Sequence, residues 1–115
     1  MPITLLTGPT ILAGQSLSDA IDITSSQGKS ISGVIVPDDW TPALLSFQLS
    51  QDGSKYADLY SIAGFELSLN ITPGTRLVFD TTWSLAAGFI KFRSGSRGYP
   101  VIQTADRIFG TVIMT

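Results

Sequence analysis

The sequence predicts an all-β, antiparallel β-sandwich of the jelly-roll kind, with about eight to ten short strands in one domain spanning residues 1–115. Three observations lead there. Apolar and polar residues alternate with period two in several short runs; turn-forming clusters separate those runs at the spacing of an all-β domain; and no apolar period of 3.6 persists for three turns. One sheet cannot bury its apolar face alone, so two sheets must pack together, although a closed barrel satisfies the same pattern. A chain of 115 residues withdraws roughly two thirds of its unfolded surface from water, enough for a core of its own.

In chain order, Pro2 to Gly8 and Thr10 to Gly14 read as two short strands broken at Gly8-Pro9, because proline cannot donate to a ladder. Leu17 to Ile23 sets Leu17, Ile21 and Ile23 on one side and Ser18 and Asp22 on the other. Ser30 to Val36 and Ala43 to Ser50 flank the turn-forming segment Pro37 to Pro42 and read as neighbours in a meander. In the second run Leu45, Phe47 and Leu49 alternate with Ser46, Gln48 and Ser50, giving one apolar face and one face for water. Asp52-Gly53 is a hairpin turn into Lys55 to Tyr60, and Ala63-Gly64 turns the chain again. Glu66 to Ile71 alternates most regularly, with Leu67, Leu69 and Ile71 inward, before Thr72-Pro73-Gly74 stops it. Arg76 to Phe79 is brief, and Asp80 to Gly88 admits a helical turn around Trp83. Phe89 to Arg93 places Ile90 and Phe92 inside, and Ser94 to Pro100 is a loop. Ile108 to Met114 is almost wholly apolar, as expected of a central strand covered on both sides or an edge covered by a neighbour.

Composition narrows the function. Charged residues are 14% of the chain, roughly 13 fewer than usual for this length, and hydroxyl, amide and glycine residues take their place. A neutral surface is poorly protected against association, so coverage by identical or different subunits, and a homo-oligomer, are expected. The net charge of −2 favours neither nucleic acid nor an anionic membrane. The absence of cysteine excludes disulfides and thiolate metal sites, and no apolar run approaches the length of a bilayer span. The first residues lack the basic region and apolar core of a secretory signal, so a chain made and used in a cytoplasm, or in something assembled there, is expected.

With no histidine the usual catalytic triads and most zinc sites are excluded, and neither a cofactor nor catalysis is expected. Asp38-Asp39 beside Trp40 has the composition of a glycosidase or calcium site, but Pro-Asp-Asp is also a turn whose aspartates bond to nearby amides, and that reading is preferred. Trp40 and Trp83 suit a sugar-stacking platform or, as preferred, packing, with Trp40 as a plug at one end of the sandwich. Lys91 to Arg107 holds all four basic residues of the last third, Lys91, Arg93, Arg97 and Arg107, with Tyr99 between the last two. Its glycine-rich loop lacks the strand and helix context of a phosphate loop. A structural role is expected instead, with Arg93 or Arg107 paired to Asp106 or a loop carbonyl and the remaining arginine free for a partner.

Pro37 and Trp40, then Leu-Ser-Phe-Gln-Leu-Ser-Gln-Asp-Gly at 45–53, Leu59-Tyr60, Lys-Phe-Arg-Ser-Gly at 91–95 and Pro-Val-x-Gln-x-x-Asp-Arg at 100–107 together resemble small virion proteins of tailed bacteriophages. The Phe-Gln-x-Ser-x-Asp-Gly strand and turn, followed by Tyr56, is also similar to the discoidin or galactose-binding-like sandwich, whose end loops bind sugars, lipids or proteins. The resemblance implies a non-enzymatic virion component, a capsid cement or decoration subunit bridging shell subunits, located in the virion. Its partners would be the major capsid protein or other virion subunits, met through Lys91, Arg93, Arg97, Tyr99 and Arg107. The alternative is a tail or host-attachment carbohydrate-binding module using Trp40, Tyr56, Tyr60, Asp38 and Asp39. Short, weakly charged loops count against the sugar.

Overall fold

In the computed structural model, described here for residues 3–22, 30–61, 63–78 and 88–114, nine strands form two antiparallel sheets, and no helix occurs among the described residues. The strands are β1 (Ile3–Ile11), β2 (Leu17–Asp22), β3 (Ser30–Ile35), β4 (Leu44–Ser50), β5 (Ala57–Asp58), β6 (Ser68–Asn70), β7 (Arg76–Val78), β8 (Phe89–Ser94) and β9 (Arg107–Met114). Sheet one runs β1-β9-β3-β7. Sheet two runs β2-β8-β4-β5, with β6 also on β4. The chain crosses between the sheets after nearly every strand, which is the winding of a jelly roll. The expected all-β sandwich is therefore present.

Alternation explains the core. Leu45 and Phe47 of β4, Ile90 and Phe92 of β8, and Phe109 and Ile113 of β9 are all buried between the sheets. Four aromatic rings cross the interior edge to face. Trp40 meets Phe109 at 5.3 Å, Phe109 meets Phe92 at 5.2 Å, and Phe92 meets Phe47 at 5.3 Å between centroids. This geometry aligns positive ring edges with negative faces and joins the two sheets through side chains alone. Trp40 donates its indole N–H to the Ala43 carbonyl at 3.3 Å and closes one end, as the plug reading anticipates.

Several expectations are corrected. β1 is one strand, not two: its register against β9 shifts between Thr7 and Thr10, and this bulge carries the ladder past Gly8-Pro9. The buried Thr111 hydroxyl donates to the Gly8 carbonyl at 2.7 Å and satisfies an acceptor beside the irregularity. β3 and β4 are not neighbours in a meander; residues 36–43 carry the chain from sheet one to sheet two. A register shift between Leu17 and Ala20 reverses the expected side of Ser18, which is buried and accepts the Phe92 amide at 2.8 Å. The second face of β4 is largely withdrawn from water, since Ser46 and Ser50 are buried and Gln48 is half-buried. β9 is central, between β1 and β3, but its outer face is open: Phe109, Thr111 and Ile113 are buried, while Ile108 is 54% exposed. The expected turn around Trp83 lies outside the described residues.

Candidate functional site

The outer face of sheet two is covered by its own chain, and Arg93 organises that cover. On β8, Arg93 alternates with Phe92 and so points away from the aromatic core. Its Nε donates to Ser46 Oγ at 3.0 Å, Nη1 to Asp58 at 2.6 Å and Nη2 to Glu66 at 2.5 Å. Asp58 belongs to β5, and Glu66 forms a β-bridge with Tyr60, so one guanidinium ties β8 and β4 to the 58–66 segment. Glu66 also accepts the Arg97 backbone amide at 3.0 and 3.1 Å, docking the 95–100 loop on the same segment. Arg97 returns to Asp58 Oδ2 at 3.5 Å. Beside it lies Tyr60, the largest contributor to holding the Arg97 guanidinium above its ordinary pKa, followed by the Asp58 charge.

Burial alone would push the Asp58 carboxyl up, but hydrogen bonds from Arg93 and Gln48 and the charges of Arg93 and Arg97 outweigh it and hold Asp58 below its ordinary range. Next to this cluster Lys91 lies over the Tyr56 ring at 4.4 Å, a cation–π contact that also occupies that cation.

The loop has a backbone reason for its shape. Gly95 has φ +93°, and an added Cβ there would run into the Tyr99 carbonyl. Ser96 and Tyr99 bond each other's backbone at 3.2 Å in both directions, which closes the loop tightly. What this support holds out to solvent is Tyr99 at 83% exposure, Phe65 at 74%, Tyr60 at 45% and the Arg97 side chain at 66%.

A second buried cluster closes the opposite side of the 95–106 connection. Gln103 has no exposure; its carbonyl oxygen accepts the Thr41 amide at 3.0 Å and Arg107 Nε at 2.9 Å, while its Nε2 donates to Thr41 O at 3.2 Å and Ser94 Oγ at 2.7 Å. Arg107 Nη1 then reaches Asp39 at 2.7 Å.

The predicted site residues are thus dispersed. Arg93 and Arg107 are buried and ion-paired, so the expected partner Asp106 is replaced by Asp58, Glu66 and Asp39. Asp106 instead accepts the Ala13 amide at 2.9 Å. The geometric cause is that an inward or sheet-covered arginine takes carboxylates from across the fold rather than its chain neighbour. Of the five basic-segment residues, Arg97 and Tyr99 remain on the surface. Trp40 is 2% exposed and offers no stacking face, which removes the centre of the sugar platform. Asp39 serves Arg107, and Asp38 lies against Gly74. A small pocket of about 230 Å³ beside Thr10, Leu12, Gln15, Ser18 and Asp19 is below the size typical of small-molecule sites.

Sequence reasoning missed Asp58, Glu66, Phe65 and Gln103. Only Phe65 carried a signal, as a large apolar residue directly after the Ala63-Gly64 turn, where burial is difficult. No protein-family model, curated protein or solved structure shows a significant match to this chain.

Proposed function

We propose that the chain is a non-enzymatic virion structural protein of a tailed bacteriophage, a capsid cement or decoration subunit that bridges shell subunits. The observation that carries this reading is the set of exposed side chains Tyr60, Phe65, Arg97 and Tyr99, held on loops that buried ion pairs make rigid. Tyrosine and arginine are the residue types that dominate protein interfaces, and pre-ordered loops lose little entropy on docking. The charges beneath are matched: Arg93 and Arg97 face Asp58 and Glu66. The surface therefore suits a neutral protein partner better than the acidic one that the basic segment alone suggests.

A jelly roll is common in viral capsid domains, which supports the virion context by analogy of fold. Repetition by the symmetry of a shell would add many modest contacts through multivalency. Against catalysis stand the absence of histidine and cysteine and the commitment of Asp39, Asp58 and Glu66 to arginines.

The test combines Phe65→Ser, Arg97→Glu and Tyr99→Ser in one chain. Thermal melting is expected to fall only slightly, through loss of the exposed Arg97–Asp58 pair, while occupancy on purified virions falls to background. Full occupancy of the triple variant, or a glycan-array signal that the same substitutions abolish, would replace this reading with another.

A further inference from the structure

The outer face of sheet one is apolar and open. Register fixes which residues share it: Leu5 pairs with Val112, Thr7 with Gly110, Gly110 with Ile35, and Ile35 with Arg76. Paired residues of an antiparallel ladder point to the same side. Their neighbours Thr111, Val34 and Leu6 pack inward, so this row points out. Ile108, two positions before Gly110, joins it. Leu5 is 61% and Ile108 54% exposed. Gly110 leaves the middle of the face without a side chain, and Ile35 leans across it, so close that a Cβ at Gly110 would approach the Ile35 side chain at 3.2 Å. The result is a low, even surface with aliphatic residues on either side of its centre.

We propose that this face binds a second copy of the chain, sheet against sheet. Two features select a like partner. Among the described outward positions of the four strands, Arg76 is the only charged residue, and it lies on β7 at the edge. A second copy meets this surface without burying any charge, whereas a charged partner would lose hydration with nothing to pair against. The size suits a weak, reversible contact. At about 4.8 Å between strands and about 3.4 Å per residue, the nine, eight, six and three residues of β1, β9, β3 and β7 cover about 420 Å² per copy. That makes about 850 Å² for the pair, in the range of weak, transient interfaces. With aliphatic contacts alone and no aromatic or arginine anchor at its centre, such a dimer is expected to be weak, with a dissociation constant of about micromolar or above.

The proposal rests on the reading of the chain as an assembly subunit, but the two fail separately. Sedimentation velocity on the purified full chain, from about 1 to 500 µM, is expected to show a monomer–dimer equilibrium. Ile108→Glu and Leu5→Glu should each weaken it by about a hundredfold or more with circular dichroism unchanged, and Arg97→Glu, on the other sheet, should leave it as it is. If Ile108→Glu unfolds, Leu5→Glu decides. A wild-type monomer throughout the range, a dimer that survives the decisive variant, or one lost in Arg97→Glu overturns the proposal. A dimer that never joins particles would instead sink the virion reading and leave this one standing.

Discussion

Arg93 shows how a single residue converts a polar sheet face into part of the interior. Three of its nitrogens are matched by Ser46, Asp58 and Glu66, and no buried side-chain polar atom among the described residues lacks a partner. Removing the guanidinium would leave two carboxylates, each 16% exposed, with only the solvent-exposed Arg97 as counter-charge. Arg93→Ala should therefore cost about 3 kcal/mol, the lower end for a broken buried pair because some solvent reaches the acids; urea denaturation measures it. The same cluster sets an acid limit. Asp58 is held below its ordinary range, and amide hydrogen bonds from Lys55 and Ser54 lower Asp52 to about 2. A depressed carboxyl stabilises the fold above its unfolded pKa and ceases to do so as pH falls through the folded one. Stability should stay level from pH 7 to about 4 and fall below that, and Asp58→Asn should flatten the fall. A melting temperature independent of pH between 5 and 2 would contradict the assignment. The burial of Trp40 allows another check: Trp40→Ala should lose about 3 to 5 kcal/mol, with no effect on glycan binding.

At the scale of elements, connections do as much as strands. The segment between β8 and β9 has no regular structure beyond a bridge, yet Gln103 anchors it with four hydrogen bonds in a site closed to water. An amide is needed there because the site demands both donor and acceptor. Gln103→Glu should thus destabilise the protein by about 2 kcal/mol despite the nearby Arg107, since a carboxylate cannot donate to Thr41 O or Ser94 Oγ; calorimetry of the variant tests this. The β4–β5 hairpin follows the logic anticipated from Asp52-Gly53. Asp52 accepts the amides of Ser54 and Lys55 at 2.9 and 3.0 Å, and Gly53 takes φ +83°. Local chemistry made that turn legible. By contrast, the 37–42 segment carries equally strong turn signals but links different sheets, because a turn motif specifies a change of direction and not the neighbour that the next strand will choose.

For the whole molecule, the number of charges matters less than where they end up. Few ionised groups are present, and among the described residues Arg93, Arg97 and Arg107 are engaged with Asp39, Asp58 and Glu66. The exterior is more neutral than composition suggests, and large apolar or aromatic side chains stay exposed on both sides of the sandwich, Leu5 and Ile108 on one and Tyr60, Phe65 and Tyr99 on the other. By itself the sequence determined the all-β class, most strand positions, the inward residues of β4 and β8, and the burial of Trp40, because period-two alternation and turn residues act over a few positions. Only the tertiary structure decided the pairing of strands, the burial of Ser18, Ser46 and Ser50, and the carboxylates that Arg93 and Arg107 would meet. Those outcomes depend on bulges that shift register and on groups distant in the chain, 74 positions apart for Ser18 and Phe92, which no local pattern encodes.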